Sequence, residues 1–112
     1  MSYDFFIYKL SKAIAILDEM GPEICLDFDQ AEVDSGLRRW RGNVHWREPD
    51  WAQVRSESEA FDFRLSRQWV IANGGPSNRE KLTDLCRNSG WTLVDQDATL
   101  VFTPKRQSPD AG

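Results

Sequence analysis

The stretch from Phe61 to Asp95, FDFRLSRQWVIANGGPSNREKLTDLCRNSGWTLVD, leaves few folds open to the chain. Phe61, Phe63 and Leu65 alternate with Asp62 and Arg64, the period of a half-exposed antiparallel strand. Trp69 to Ala72 is a short apolar run between Arg67-Gln68 and Asn73-Gly74-Gly75-Pro76, which predicts a buried strand and a hairpin partner for Phe61–Leu65. Ser77 and Glu80 have the spacing of a capping box, in which each side chain satisfies the other's backbone amide. Leu82, Leu85 and Cys86 follow at helical spacing, and Asn88-Ser89-Gly90 stops the helix. Trp91 to Val94 then starts a new strand. A hairpin followed by a helix and a further strand buries its apolar faces most simply as α+β, with helices against an antiparallel sheet.

The flanking segments fit this frame. Tyr3 to Tyr8 is dense in strand formers, as in a strand covered on both faces for part of its length. Ser11 can cap a helix through Met20, with Ile14 and Leu17 inward, and Gly21-Pro22 ends it. Ile24 to Phe28 is either a short strand or an extended connection that buries Ile24 and Leu26. Asp29 is a good N-cap for a helix from Gln30 to about Trp40, because Val33, Leu37 and Trp40 share one face. Gly36 inside that helix costs about 1 kcal/mol relative to Ala, so the helix needs tertiary support. Gly42 to Asp50 has the composition of a loop, with Pro49 as a breaker, and Trp51, Gln53 and Arg55 begin a partial alternation. Leu93-Val94-Asp95 and Leu100-Val101-Phe102 flank residues 96–99 as a final hairpin. The expectation is one α+β domain over residues 1–104: a mostly antiparallel sheet of four to six strands, two or three helices packed on one face, then a polar C-terminal tail at 105–112.

At 112 residues and 40% hydrophobic content the chain can bury a core without disulfide or metal staples. Cys25 and Cys86 lie far apart and form no paired motif. The opening MSYDFFIYKL lacks a basic region followed by an apolar one, so no signal peptide is expected, and no apolar run reaches the ~20 residues of a membrane span. A cytoplasmic protein with free thiols is the simplest expectation. A net charge of −4 argues against generic binding to nucleic acid or anionic membranes.

Several patterns suggest chemistry, and each has a plainer explanation. Asp27 and Asp29 form a DxD pair after an apolar run, as in aspartate-dependent phosphotransferases, but Ala31 stands where such a site wants Thr or Val, and Asp29 is explained as a helix cap. Asp95-Gln96-Asp97 suits a hairpin turn. His45 could pair with Cys25 or Cys86 as a nucleophile–base dyad, yet Cys86 lies on an apolar helix face, where thiols are inert. One histidine and no clustered thiols make a poor metal site. Gly74-Gly75 ahead of a helix could cradle an anion but lacks the spacing of a phosphate loop. Leu37 to Arg47 interleaves arginine with tryptophan, the pattern of a stacking surface for single strands, against an acidic whole.

Charge gives the remaining signal. From Ala13 to Leu37 there is no Lys or Arg, while Asp18, Glu19, Glu23, Asp27, Asp29, Glu32 and Asp34 supply seven carboxylates. A patch of one sign steers a basic partner, and tryptophan, Trp46 among the candidates, supplies anchor energy at an interface.

The opening MSYDFFIY, together with FDFRL, WVIANGG and LTDLCRNSGWTLVD in that order, resembles the small cytoplasmic immunity proteins of bacterial polymorphic-toxin systems. The resemblance covers about half of the chain and implies a non-enzymatic inhibitor that masks a cognate, basic toxin domain, with no catalytic residue, cofactor or metal. A small enzyme or anion-binding domain, using Gly74-Gly75 or the Asp27/Asp29 pair, is the alternative.

Overall fold

The computed structural model describes residues 3–12, 14, 17–55, 60–74, 78–95 and 100–102. Its strands are β1 (Tyr3–Leu10), β2 (Cys25–Leu26), β3 (Val44–Glu48), β4 (Trp51–Arg55), β5 (Ala60–Leu65), β6 (Val70–Gly74), β7 (Thr92–Asp95) and β8 (Leu100–Phe102), and its helices are α1 (Gln30–Trp40) and α2 (Arg79–Ser89). Seven strands form one sheet in the order β3-β4-β5-β6-β1-β7-β8, and β2 pairs with the end of β1. Every pairing is antiparallel. The class is therefore α+β, but the sheet has eight strands where four to six were expected.

The strand pairing sorts the residues by face. Ile7 pairs with Val70 and Leu93, Phe5 with Ala72, Phe63 with Ala72 and Ala52, and Phe61 with Val54. These residues all point one way, because side chains of paired residues share a face. Both helices lie on that face and touch each other. α1 contributes Val33, Leu37 and Trp40 to the core, and α2 contributes Leu82, Leu85 and Cys86. The opposite face carries a polar row in register across five strands: His45, Gln53, Asp62, Asn73 and Asp4. Within that row Gln53 Nε2 donates to Asp62 Oδ1 at 2.9 Å, and Arg47 Nε donates to Gln53 Oε1 at 2.9 Å.

Local signals set the helix ends. α1 starts at Asp29, whose carboxylate accepts from the Glu32 amide at 2.8 Å while Glu32 Oε1 accepts from the Asp29 amide at 3.3 Å, so a complete capping box stands there. α2 stops at Gly90, whose φ of 76° is the left-handed conformation that favours glycine. The residue at its N-cap is Asn78. Gly75, Pro76 and Ser77 lie outside the described residues, and with them the expected Ser77–Glu80 box.

The structure corrects three further expectations and decides a fourth. Gly42 to Asp50 is not all loop, because β3 occupies Val44–Glu48 as an edge strand. Its inward residues Val44 and Trp46 are half-buried between exposed polar neighbours, and its pairing with β4 shifts between Trp46 and Glu48, a bulge at a sheet edge. Between Ser11 and Met20 the described residues hold only a 3-10 turn, Leu17–Glu19, with Ala13, Ala15 and Ile16 outside them. Of the two alternatives for Ile24 to Phe28 the short strand is found, as β2, and the extended connection that buries Leu26 is not: Leu26 is exposed. Trp69 to Ala72 is not buried throughout: Val70 and Ala72 face the core, Ile71 is half-buried on the other face, and Trp69 precedes the strand and is exposed. Residues 105–112 lie outside the described residues.

Tertiary contact explains Gly36. A methyl group there would sit 2.6 Å from Cη2 of Trp91 and 3.0 Å from Ser89 Oγ. Trp91 is buried and packs edge-on against Phe28, with ring centroids 5.4 Å apart, so its ring has little room to yield. Gly36→Ala should gain about 1 kcal/mol of helix propensity but lose ~1–3 kcal/mol to overpacking. The expected outcome is a net loss of stability in urea denaturation, relieved when Trp91→Phe is added. A more stable Gly36→Ala protein would mean that α1 and Trp91 do not pack this way.

Candidate partner-binding surface

At least three of the seven carboxylates between residues 18 and 34 meet counter-charges, and a further one, Asp29, caps α1 as its sequence position predicts. Glu32 accepts from Lys9 Nζ at 2.6 Å, in a pair whose side chains are 33% and 27% exposed. Asp34 accepts from Arg38 Nε at 2.9 and 3.0 Å and from the indole N–H of Trp46 at 2.8 Å. Asp27 meets Arg67 Nε at 3.3 Å in an exposed pair, and Asp29 is committed to the helix cap. The counter-charges come from β1, the last turn of α1 and the β5–β6 connection. Asp18, Glu19, Glu23, Asp27 and Asp29 remain exposed. The negative surface therefore centres on residues 18–29, ahead of α1.

Trp46 sits on β3, half-buried, with its indole N–H held by Asp34. The Arg38 hydrogen bonds, followed by the one from Trp46, hold the Asp34 carboxyl below the usual aspartate range. A depressed folded pKa means that the ion pair stabilises the fold above the unfolded aspartate pKa, and this contribution is lost as pH falls through the folded value. The Trp46 indole N–H resonance should therefore titrate with a midpoint below the ordinary aspartate value of ~3.9, and Asp34→Asn should abolish that titration. A midpoint at the ordinary value would mean the contact is not kept in solution.

Two large apolar side chains stand out among the described residues. Leu26 is 41% exposed and Trp69 is 37% exposed, the only large hydrophobic residues described as exposed. Their segments are tied together, because Phe28 N donates to Arg67 O at 2.9 Å and Gln68 Nε2 donates to Cys25 O at 3.4 Å. Exposed Glu23, Asp27 and Asp29 flank Leu26 in the chain. This corner combines apolar anchors with an acidic rim, the arrangement of an interaction surface. The sequence reading puts Trp69 inside, and Leu26 inside only in the extended-connection alternative for Ile24 to Phe28. The available signal was alternation: with Val70 and Ala72 inward, Trp69 had to face the other way.

The other candidates do not converge. Cys86 is fully buried on α2, and burial pushes its thiol far up. Burial first, and then the charge of Glu23, raises the Cys25 thiol, whose Sγ lies 3.5 Å from Gly21 O. Both shifts oppose the thiolate that a nucleophile needs. His45 is on β3, four strands from β1, which is ~19 Å at the spacing of paired strands, and it points away from the core that holds Cys86. The described residues contain no group of three or more His, Cys, Asp or Glu side chains placed to hold a metal ion. Gly74 ends β6, and Gly75 is outside the described residues. Of the arginine–tryptophan stretch, Trp40 faces the core with Arg41 stacked on its ring at 4.3 Å, and Trp46 is tied to Asp34. That stretch leaves no tryptophan exposed for stacking on bases. No described helix is long and apolar enough to cross a membrane.

No family model, no curated protein and no solved structure matches this chain.

Proposed function

We propose that this chain is a non-enzymatic protein-binding module that neutralises a basic partner by covering its surface, as the small immunity proteins of bacterial toxin systems do. The observation that carries the reading is the Leu26–Trp69 corner: two exposed apolar anchors on hydrogen-bonded segments, beside exposed carboxylates. The anchors supply contact energy once water is excluded. The carboxylates at 18, 19, 23, 27 and 29 supply steering, which acts mainly on association rate. The partner expected for such a surface is a basic toxin domain with an apolar recess, met in the cytoplasm.

The test uses the chain as bait in extracts of its source cells, beside a Leu26→Ala/Trp69→Ala variant that remains folded. The expected result is a basic protein retained by the parent chain and lost by the variant. Its association should slow as salt shortens the Debye length from ~10 Å at 0.1 M to ~3 Å at 1 M. A partner bound equally well by both chains would remove the corner from the interface.

A further inference from the structure

The sheet face turned away from the helices is not the wholly polar surface that an antiparallel sheet shows to water. Beside the polar row from His45 to Asp4 runs a second row in register: Trp51, Arg64, Ile71, Phe6, Val94 and Val101. Val94, on β7, is fully buried. Phe6, Ile71 and Trp51 are only half-buried, and exposed Arg64 holds its guanidinium 4.6 Å from the centre of the Trp51 ring. Trp69, two residues before Ile71 on the same side, stands at the rim. β1 reads Phe5-Phe6-Ile7-Tyr8, the pattern of a strand covered on both faces, yet both described helices pack on the Phe5–Ile7 side.

The charges on this face select its occupant. Among the described strand residues that point this way, Arg47, Arg55 and Arg64 are matched by Asp4, Glu48 and Asp62. A nucleic acid strand needs a basic face, and the basic partner proposed above needs an acidic one. A balanced face suits a surface of the same balance. An isologous twofold contact supplies one, because each patch then meets itself reversed. With the axis along the strands between β5 and β6, β4 of one copy lies over β1 of the other, and β5 over β6. Trp51 then meets Phe6 of the other copy, and the Arg64 stem meets Ile71. Asp62 accepts from Gln53 at one oxygen and keeps acceptor positions for the Asn73 amide opposite. Arg47, held over β4 by its bond to Gln53, meets Asp4. Sheets pack face to face at ~10 Å and cross at ~30°, a gap that these side chains fill. Seven strands at ~4.8 Å spacing are ~34 Å wide, close to the longer dimensions of the molecule, 38 × 32 × 25 Å. Such a face can supply the ~800 Å² per partner of a standard interface. We propose that a second copy of this chain covers the open sheet face, in a twofold dimer with Trp51, Ile71 and Phe6 at its centre.

The experiment is sedimentation velocity of the full chain across a range of loading concentrations, with the fold of each variant checked by circular dichroism. The expected result is a reversible monomer–dimer equilibrium. Ile71→Arg, which sets a charge against Arg64 of the other copy, should weaken dimerisation by roughly tenfold or more. Asp4→Arg and Arg47→Asp should each weaken it by roughly tenfold, and the double variant should return to within a few-fold of the parent. This exchange uses exposed residues only, so it tests the contact even where Ile71→Arg fails to fold. Leu26→Ala/Trp69→Ala should stay dimeric, which keeps the dimer distinct from the corner assigned to the basic partner. A monomer at every concentration overturns the proposal, as does growth beyond a dimer. A dimer undisturbed by Ile71→Arg, or lost only in the Leu26→Ala/Trp69→Ala variant, overturns it in favour of another surface. Failure of the double variant to recover overturns it as well.

Discussion

Trp40→Ala should destabilise the protein by ~3–5 kcal/mol, the range for truncating a buried aromatic side chain. Trp40 is 8% exposed and lies between α1 and the sheet, with its ring edge-on to Phe61 at 5.0 Å and Phe63 at 6.0 Å. Truncation removes the tie between the last turn of α1 and β5, and the ring's volume becomes a cavity because strand β5 cannot collapse into it. Trp40→Phe should cost much less. The Trp40 indole N–H is buried without a hydrogen-bond partner among the described residues, so phenylalanine keeps most of the aromatic contact and removes an unsatisfied donor. Urea midpoints at constant m measure both effects. Against a total stability of ~5–15 kcal/mol for a domain of this kind, the alanine variant loses about a fifth of the stability or more, and is partly unfolded at ambient temperature only where the parent lies at the low end of that range. Equal losses for the two variants would mean that the N–H is satisfied in solution and that the polar contact, rather than ring volume, holds Trp40.

The parts of the fold that were legible are those encoded by neighbours in sequence. Asp29 with Glu32, and Val33, Leu37 and Trp40 behind them, fixed α1 to its observed ends, because a cap and a 3.6-residue stripe are local facts. Gly90 marked the end of α2 for the same reason. Phe61, Phe63 and Leu65 marked β5, because one of its faces is buried and the other is polar. β3 was hidden because it is an edge strand: His45, Arg47 and Glu48 are exposed, and only Val44 and Trp46 carry an inward signal too short to count as alternation. The seven carboxylates appeared unopposed because two of their bases come from elsewhere. Lys9 is 23 residues from Glu32, and Arg67 is 40 residues from Asp27. Sequence proximity carries no information about such pairs; sheet order does. The face of Trp69 was likewise a matter of register, which a one-residue shift reverses.

Trp69→Ala should weaken binding to the partner by about 2 kcal/mol, or roughly thirtyfold in Kd. At 37% exposure, a side chain that can bury up to ~250 Å² has about 90 Å² left to offer, which at ~25 cal/mol per Å² gives that figure. The remainder of the ring already packs against its own chain, so the substitution also lowers stability, and affinity must be compared where circular dichroism shows both proteins folded. The loss should fall mainly in dissociation rate, whereas Glu23→Gln and Asp27→Asn, being rim charges, should fall mainly in association rate and only at low salt. Trp46 supplies the internal contrast. Its ring is half-buried and its N–H is engaged by Asp34, so Trp46→Phe should perturb the α1–β3 contact and leave partner affinity within a few-fold. The opposite ranking, with Trp46→Phe abolishing binding and Trp69→Ala harmless, would move the interface to the α1–β3 side of the molecule. The Leu26–Trp69 corner would then be ordinary surface, since one exposed leucine or tryptophan needs no explanation beyond the shortage of polar area to cover a small protein.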